Sequence, residues 1–203
     1  MKLAGLVLAG GASTRMGSPK ALLRLGRRNF LERLLWVLSG SCDEVWVVLG
    51  YQARDVIRGV RTPVRPRFVM NRQPELGQFS SLRCGLAAIG EGYAGVMFTP
   101  VDYPLIRPQT VSAIAAAFLA APGPEAIVIP RFAGKRGHPV SIGDGLRKEA
   151  LRMPDSAQAR ELIRRHEARI RYVDVPDPGV VTDIDTPEQY LTAIAEWDEA
   201  GAR

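Results

Sequence analysis

The sequence has little of what would place it outside the ordinary globular class. Only 2 of its 203 residues are cysteines, Cys42 and Cys84, with no CxxC or Cys/His spacing. That excludes a disulfide-stapled scaffold and predicts two reduced, buried thiols in a cytoplasmic protein. No apolar run approaches the roughly 18 residues a membrane span needs, so no membrane partner is expected. The apolar start at Leu3–Ala9 breaks into Gly10-Gly11 too soon for a signal peptide and reads as a buried strand. Aromatic residues make up 7% and form no stacking cluster, which weakens a single-strand nucleic-acid binder. With no repeat, low-complexity tract or linker, residues 1–203 are expected to form one domain.

What is present is a basic surplus. Lys and Arg number 27 against 21 Asp and Glu, for a net charge of +6. Residues 1–100 hold 14 basic and 6 acidic side chains, a surplus of +8, and residues 101–203 come to −2. An anionic partner follows. Nucleic acid, a membrane surface and a phosphorylated small molecule are not separated by charge alone.

Short β-branched runs alternate with helical patterns. Strands are predicted at Leu3–Ala9, Glu44–Leu49, Arg67–Asn71, Gly95–Val101 and Ala126–Pro130. Helices are predicted at Asn29–Leu38 with Asn29 as N-cap, Tyr51–Val60, Ser80–Ile89 and Gln109–Ala121. This alternation predicts an α/β fold, a three-layer α/β/α Rossmann-like and mostly parallel sheet. Past Pro130 the pattern changes to a basic turn at Arg131–Gly137 and a short strand at Pro139–Ile142, a small antiparallel element. Helices near Asp144–Leu151 and Ser156–His166, a strand at Ile170–Val175 and a helix at Thr186–Ala200 close the chain.

The strongest local signal is Leu8-Ala9-Gly10-Gly11-Ala12-Ser13-Thr14-Arg15-Met16-Gly17-Ser18-Pro19-Lys20. It follows the first strand, where open α/β sheets bind ligands. Its glycines allow a tight turn whose N–H groups can nest an anion, and Arg15 and Lys20 add two cations. The spacing is neither a Walker A loop nor GxGxxG. A second block, Asn71 to Leu86, enters a helix at Ser80-Ser81, whose hydroxyls are expected to cap it. A third, Thr99-Pro100-Val101-Asp102-Tyr103-Pro104, ends a strand in a carboxylate. The fourth is Gly134-Lys135-Arg136-Gly137-His138-Pro139-Val140. The fifth is Asp183-Ile184-Asp185-Thr186-Pro187-Glu188-Gln189, which opens the last helix with Thr186 as N-cap.

These blocks, in this order, resemble the MobA-like nucleotidyltransferases, and the fourth is most similar to the molybdenum-cofactor cytidylyltransferase branch. The resemblance implies a transferase that moves a nucleoside monophosphate, from CTP, to a phosphorylated acceptor, molybdopterin, with Mg2+. It implies catalytic roles for Arg15, Lys20 and Asp102. It implies nucleotide contacts from Leu8, Ala9, Gly10, Gly11, Ser13, Asn71, Gly77, Ser80 and Ser81, and acceptor contacts from Lys135, Arg136 and His138. Asp102 and Asp185 are the expected metal carboxylates, and Asp183 stays open between a site role and a structural turn. Arg72 and Arg83 are expected near the triphosphate. A molybdoenzyme or its chaperone is the implied protein partner. Gln189 stands where the family has an acid, a difference expected to matter little. Leu-Ala-Gly-Gly departs from the Leu-Ala-Ala-Gly usual in the cytidylyl branch and resembles guanylyltransferases, so CTP and GTP both stay open. So does a non-catalytic nucleotide- or nucleic-acid-binding module.

Overall fold

The computed structural model describes residues 1–154 and 156–201. The end of the span 1–203, expected to act as one unit, lies outside the described residues. Strand β1 (Leu3–Ala9) is buried along its whole length. Such a strand needs apolar cover on both faces, because successive side chains point to opposite sides of the sheet. Leu3, Val7 and Ala9 join one core, and Ala4, Leu6 and Leu8 join the other. The following elements are β2 (Arg24–Leu25), β3 (Arg28–Asn29), α1 (Phe30–Ser39), β4 (Glu44–Leu49), α2 (Ala53–Gly59), β5 (Arg67–Met70) and α3 (Gln78–Ile89). Then come β6 (Gly95–Pro100), α4 (Pro108–Ala120), β7 (Ile127–Phe132), β8 (Lys135–Arg136) and β9 (Val140–Gly143). The chain ends with α5 (Asp144–Arg152), α6 (Ala159–Arg165), β10 (Ile170–Asp174) and α7 (Pro187–Gly201).

The main sheet runs β10-β7-β9-β6-β1-β4-β5, with β8 paired to β7. β1, β4, β5 and β6 are parallel, and β9 runs antiparallel to both β6 and β7. One core packs Phe30, Leu31, Leu34 and Leu35 of α1 with Ile114 and Phe118 of α4. The other packs Leu82 and Leu86 of α3, Leu146 of α5 and Leu162 of α6. These are the three α/β/α layers and the antiparallel element that the sequence pattern predicts. From β1 the chain winds outward through β4 to β5, then returns to β6 on β1's other side. The winding reverses between β1 and β6, so a crevice opens beyond their carboxyl ends. The glycine-rich loop leaves β1 there, and Asp102 follows β6.

Three local expectations are corrected. Helix α3 starts at Gln78 with Gly77 at its N-cap, so Ser80 and Ser81 lie in its first turn and do not cap it. The basic turn at 131–137 is a hairpin: Ala133 (φ 47°) and Gly134 (φ 78°) turn β7 into β8. Positive φ at both central residues suits the right-handed twist of paired strands. Of the two free thiols only Cys42 is buried, its pKa pushed up to about 12 by desolvation, and Cys84 is half-buried. The hairpin of β2 and β3 was not indicated by the pattern. Asn29 does cap α1: it accepts from Glu32 N at 2.8 Å, and Glu32 Oε2 accepts from Asn29 N at 3.0 Å.

Arg33 ties α1 to the segment after Asp102. It is buried, with Nε donating to the Pro104 carbonyl and Nη2 to the Ile106 carbonyl at 3.2 Å. Its guanidinium lies 4.2 Å from the Trp197 ring centroid of α7. Burial lowers its pKa to about 10, helped by Arg28 and opposed by Asp177. Arg33→Met keeps the apolar stem and removes the donors. The expected cost is roughly 3 kcal/mol, a melting-point drop of about 6–12 °C by differential scanning fluorimetry. Melting unchanged to within about 2 °C would show that the two carbonyls find other donors.

Candidate active site

The loop after β1 turns back on itself at Ser13 (φ 53°) and Gly17 (φ 66°). Left-handed backbone is costly for serine. Here the Ser13 hydroxyl accepts from Lys20 N at 3.0 Å, which fixes the loop's far end. Lys20 then points its ammonium at two carboxylates. Nζ hydrogen-bonds Asp185 Oδ1 and lies 3.6 Å from Asp102 Oδ2. Arg15 Nη1 lies 3.5 Å from Asp185 Oδ2. Ile184 N donates to the Asp102 carbonyl at 2.8 Å, which brings the last acidic loop against β6.

The carboxylates differ in environment. Burial holds the Asp102 carboxyl above its usual range, Lys20 pulls it back, and the charges of Asp185 and Asp183 add to the rise. The hydrogen bond from Lys20 holds Asp185 below its usual range. Asp102 Oδ1 is buried with no hydrogen-bond partner. Gln189 has a role the sequence did not suggest. Its Oε1 accepts from Asp185 N at 2.7 Å and Thr186 N at 2.9 Å, and its own N donates to Thr186 Oγ1 at 3.3 Å. This reciprocal cap fixes the backbone that carries Asp185.

A cavity of about 450 Å³ lies over this cluster. Leu8, Ala9, Gly10, Gly11, Ser13, Arg15, Lys20, Gly77, Ser81, Asp102 and Asp185 line it, together with Tyr51 and Gln78. Asn71 and Ser80 do not, and stand behind the wall. Asn71 is buried and donates through Nδ2 to Ser80 Oγ at 2.9 Å and Ser81 Oγ at 3.0 Å. Arg72 is exposed off the cavity, and Arg83 faces α5, donating to the Leu151 carbonyl at 3.4 Å. Neither lines the cavity. Gly10 lies tight against the wall: a Cβ there would fall 2.8 Å from Ser81 Oγ.

A second cavity, of about 720 Å³, shares Leu8, Gln78 and Pro100 with the first. One part of its wall is apolar and aromatic, with Leu82, Phe98, Tyr103, Ile129 and Val140. Arg136 and His138 line it, as do Arg160 and Arg164 of α6, which sequence reasoning missed because only helix packing brings them there. Lys135 does not line it and is exposed. Arg136 pairs with Glu167 at 2.6 Å and lies over the Tyr172 ring. The His138 ring packs 4.6 Å from Tyr103, and desolvation lowers its pKa to about 4. At neutral pH His138 therefore lines the cavity as a neutral imidazole.

Two adjoining cavities at the switch point of an open, mostly parallel sheet, one of them glycine-walled and charged, define an α/β protein built to bind ligands there. The MobA-like NTP transferase domain family matches residues 5–170, and the chain belongs to that family. It is 32% identical over 193 residues to nicotine blue oxidoreductase of Paenarthrobacter nicotinovorans, across 91% of this chain and 93% of that protein. It is 40% identical over 105 residues to a probable molybdenum cofactor guanylyltransferase of Rhodopirellula baltica, across 50% of this chain and 49% of that protein. Among solved structures, Rv0371c of Mycobacterium tuberculosis superposes with a TM-score of 0.79 at 26% identity, across 96% of this chain and 99% of that one. The same protein is also known in complex with manganese. Among the described residues no helix is long and apolar enough to cross a membrane.

His138 makes folding pH-dependent. Its pKa falls from 6.5 in the open chain to about 4 in the fold, so the unfolded chain binds more protons between those values. The contribution of His138 to stability is complete above pH 6.5 and declines as pH falls toward 4. His138→Gln is expected to flatten this part of the melting-point profile. A profile equally steep in the variant would assign the acid sensitivity to other groups.

Proposed function

We propose that this protein transfers a nucleoside monophosphate from a nucleoside triphosphate to a phosphorylated acceptor with release of pyrophosphate. The observation that carries this reading is the pair of cavities meeting at Leu8, Gln78 and Pro100 beside Asp102. One suits a triphosphate, and the other, with an aromatic wall and three arginines, suits a flat phosphorylated acceptor. An acceptor phosphate oxygen bonds to the α-phosphorus, the bond from that phosphorus to the bridging oxygen breaks, and pyrophosphate leaves. The attacking oxygen is already anionic, so no general base is needed.

The protein's task is alignment and charge. Two like unit charges 4 Å apart repel by about 4 kcal/mol at an effective dielectric near 20. The N–H groups of the loop, Arg15 and Lys20 offset that repulsion and stabilise the leaving pyrophosphate. The residues present also suit a hard divalent cation. Asp102 has a buried oxygen without a partner, and Asp185 lies across Lys20 from it. Among the described residues no group of three or more His, Cys, Asp and Glu could hold a metal, so two carboxylates would be the protein's share, with phosphates and water completing the set. Magnesium held there would supply further neutralisation at the triphosphate.

The acceptor we propose is molybdopterin or a similar phosphorylated heterocycle, read from the aromatic second cavity and the guanylyltransferase relative. The block at Ser80–Leu86 favours CTP. The Leu-Ala-Gly-Gly run and the same relative favour GTP. A second reading has its own observation: a relative matched over nearly its full length is named an oxidoreductase. Pyrophosphate release separates the two.

Mixing the protein with magnesium and each of CTP, GTP, ATP and UTP should raise the melting point by roughly 5–10 °C for the true donor at 100-fold over Kd. No shift with any nucleotide would count against the transfer reading. In a pyrophosphate-release assay Lys20→Ala should lower turnover by roughly 10²–10³ with the fold retained. Asp102→Asn should abolish metal-dependent turnover, and full activity would place the metal elsewhere.

A further inference from the structure

In the free site opposite charges pair with one another. Lys20 and Arg15 supply two positive charges, Asp102 and Asp185 two negative ones, and all four lie within one cluster. The side chains of Lys20, Asp102 and Asp185 are 15%, 23% and 31% exposed, so water screens their interactions only in part. On the reading given above, which this inference rests on, the same groups have two other duties. The cations serve the triphosphate and the carboxylates serve the metal. In the free protein they are occupied with each other.

The consequences for binding follow from charge. A triphosphate arriving alone must draw Lys20 off the carboxylates. That would leave Asp102, already short of one hydrogen-bond partner, beside the like charge of Asp185. A divalent cation arriving alone must enter against an ammonium already hydrogen-bonded to Asp185. Only when both arrive does every charge keep an opposite neighbour. The backbone of Lys20 is hydrogen-bonded to Ser13 Oγ at 3.0 Å, and the exchange is a swing of the Lys20 side chain from that anchored position.

We propose that Lys20 is the resident counter-ion of the Asp102–Asp185 pair, exchanged for a divalent cation when a triphosphate draws its ammonium away. Metal and triphosphate are then coupled ligands, and linkage makes the coupling equal in both directions. Lys20 thus has opposite effects on the two: it strengthens triphosphate binding and weakens metal binding to the free protein.

The test reads binding on the full chain. Mn2+ is titrated into nucleotide-free protein and followed by electron paramagnetic resonance of the free ion. Lys20→Met is expected to bind Mn2+ about tenfold more tightly than wild type, because a like charge about 4 Å away has been removed. Equal or weaker Mn2+ binding in that variant would overturn the proposal. A second arm uses inorganic tripolyphosphate in EDTA with Asp185→Asn, which frees Lys20 from its hydrogen-bonded partner. Metal-free tripolyphosphate should bind this variant several-fold more tightly than wild type. Unchanged or weaker binding would overturn the proposal here too, so the question is answered even if Lys20→Met fails to fold. The Mn2+ arm contains no nucleotide, so its sign is independent of whether the protein releases pyrophosphate. Tightened Mn2+ binding without pyrophosphate release keeps the exchange and removes the transfer reading. Pyrophosphate release without tightened binding does the reverse.

Discussion

One ammonium held between two carboxylates organises this site. Lys20 is 165 residues from Asp185, and the two meet because the loop carrying Asp185 returns to the end of β6. Their attraction is strong only while the groups are partly shielded from water, which sets a demand on the rest of the fold. The crevice must be deep enough to shield the ions and open enough to exchange them for ligands. The reversal of winding between β1 and β6 provides such a place.

Much of the surrounding structure serves to hold those three side chains still. Ser13 takes a left-handed conformation so that its hydroxyl can fix Lys20. Ile184 is hydrogen-bonded to the Asp102 backbone, and Gln189 caps the turn that carries Asp185. Arg33 gathers the carbonyls after Asp102 and lies on Trp197 of the last helix. Beside this charged chamber lies a mixed one, apolar and aromatic on one side and arginine-rich on the other, where desolvation lowers the His138 pKa. The division suits two ligands of different chemistry sharing one wall.

The uneven charge of the two halves has a structural counterpart at the site. Arg15 and Lys20 come from the basic half, and Asp102 and Asp185 come from the other. The rest of the surplus lies elsewhere: Arg72 is on the surface and Arg83 reaches toward α5. Net charge indicated an anionic ligand without locating the cations that would meet it.

The sheet, the glycine-rich turn and the strand-end carboxylate were legible in the residues themselves. Leu3–Ala9 is apolar at every position because it is covered on both faces, and that covering leaves a local trace in the sequence. Asn29 and Glu32 announce the start of α1 because a capping box spans only three residues. Arg160 and Arg164 were missed, Ser80 and Asn71 stand behind the wall they were expected to form, and Lys135 points away from the cavity. Those outcomes depend on how helices and loops pack across the sheet, which no short window of sequence contains. By itself the sequence determined which elements form and which chemistry is available, because hydrogen-bond caps and hydrophobic periodicity are local. Only the tertiary structure decided which charges face each other and which are desolvated, because Coulomb energy and hydration depend on separations in space that contacts between distant segments set.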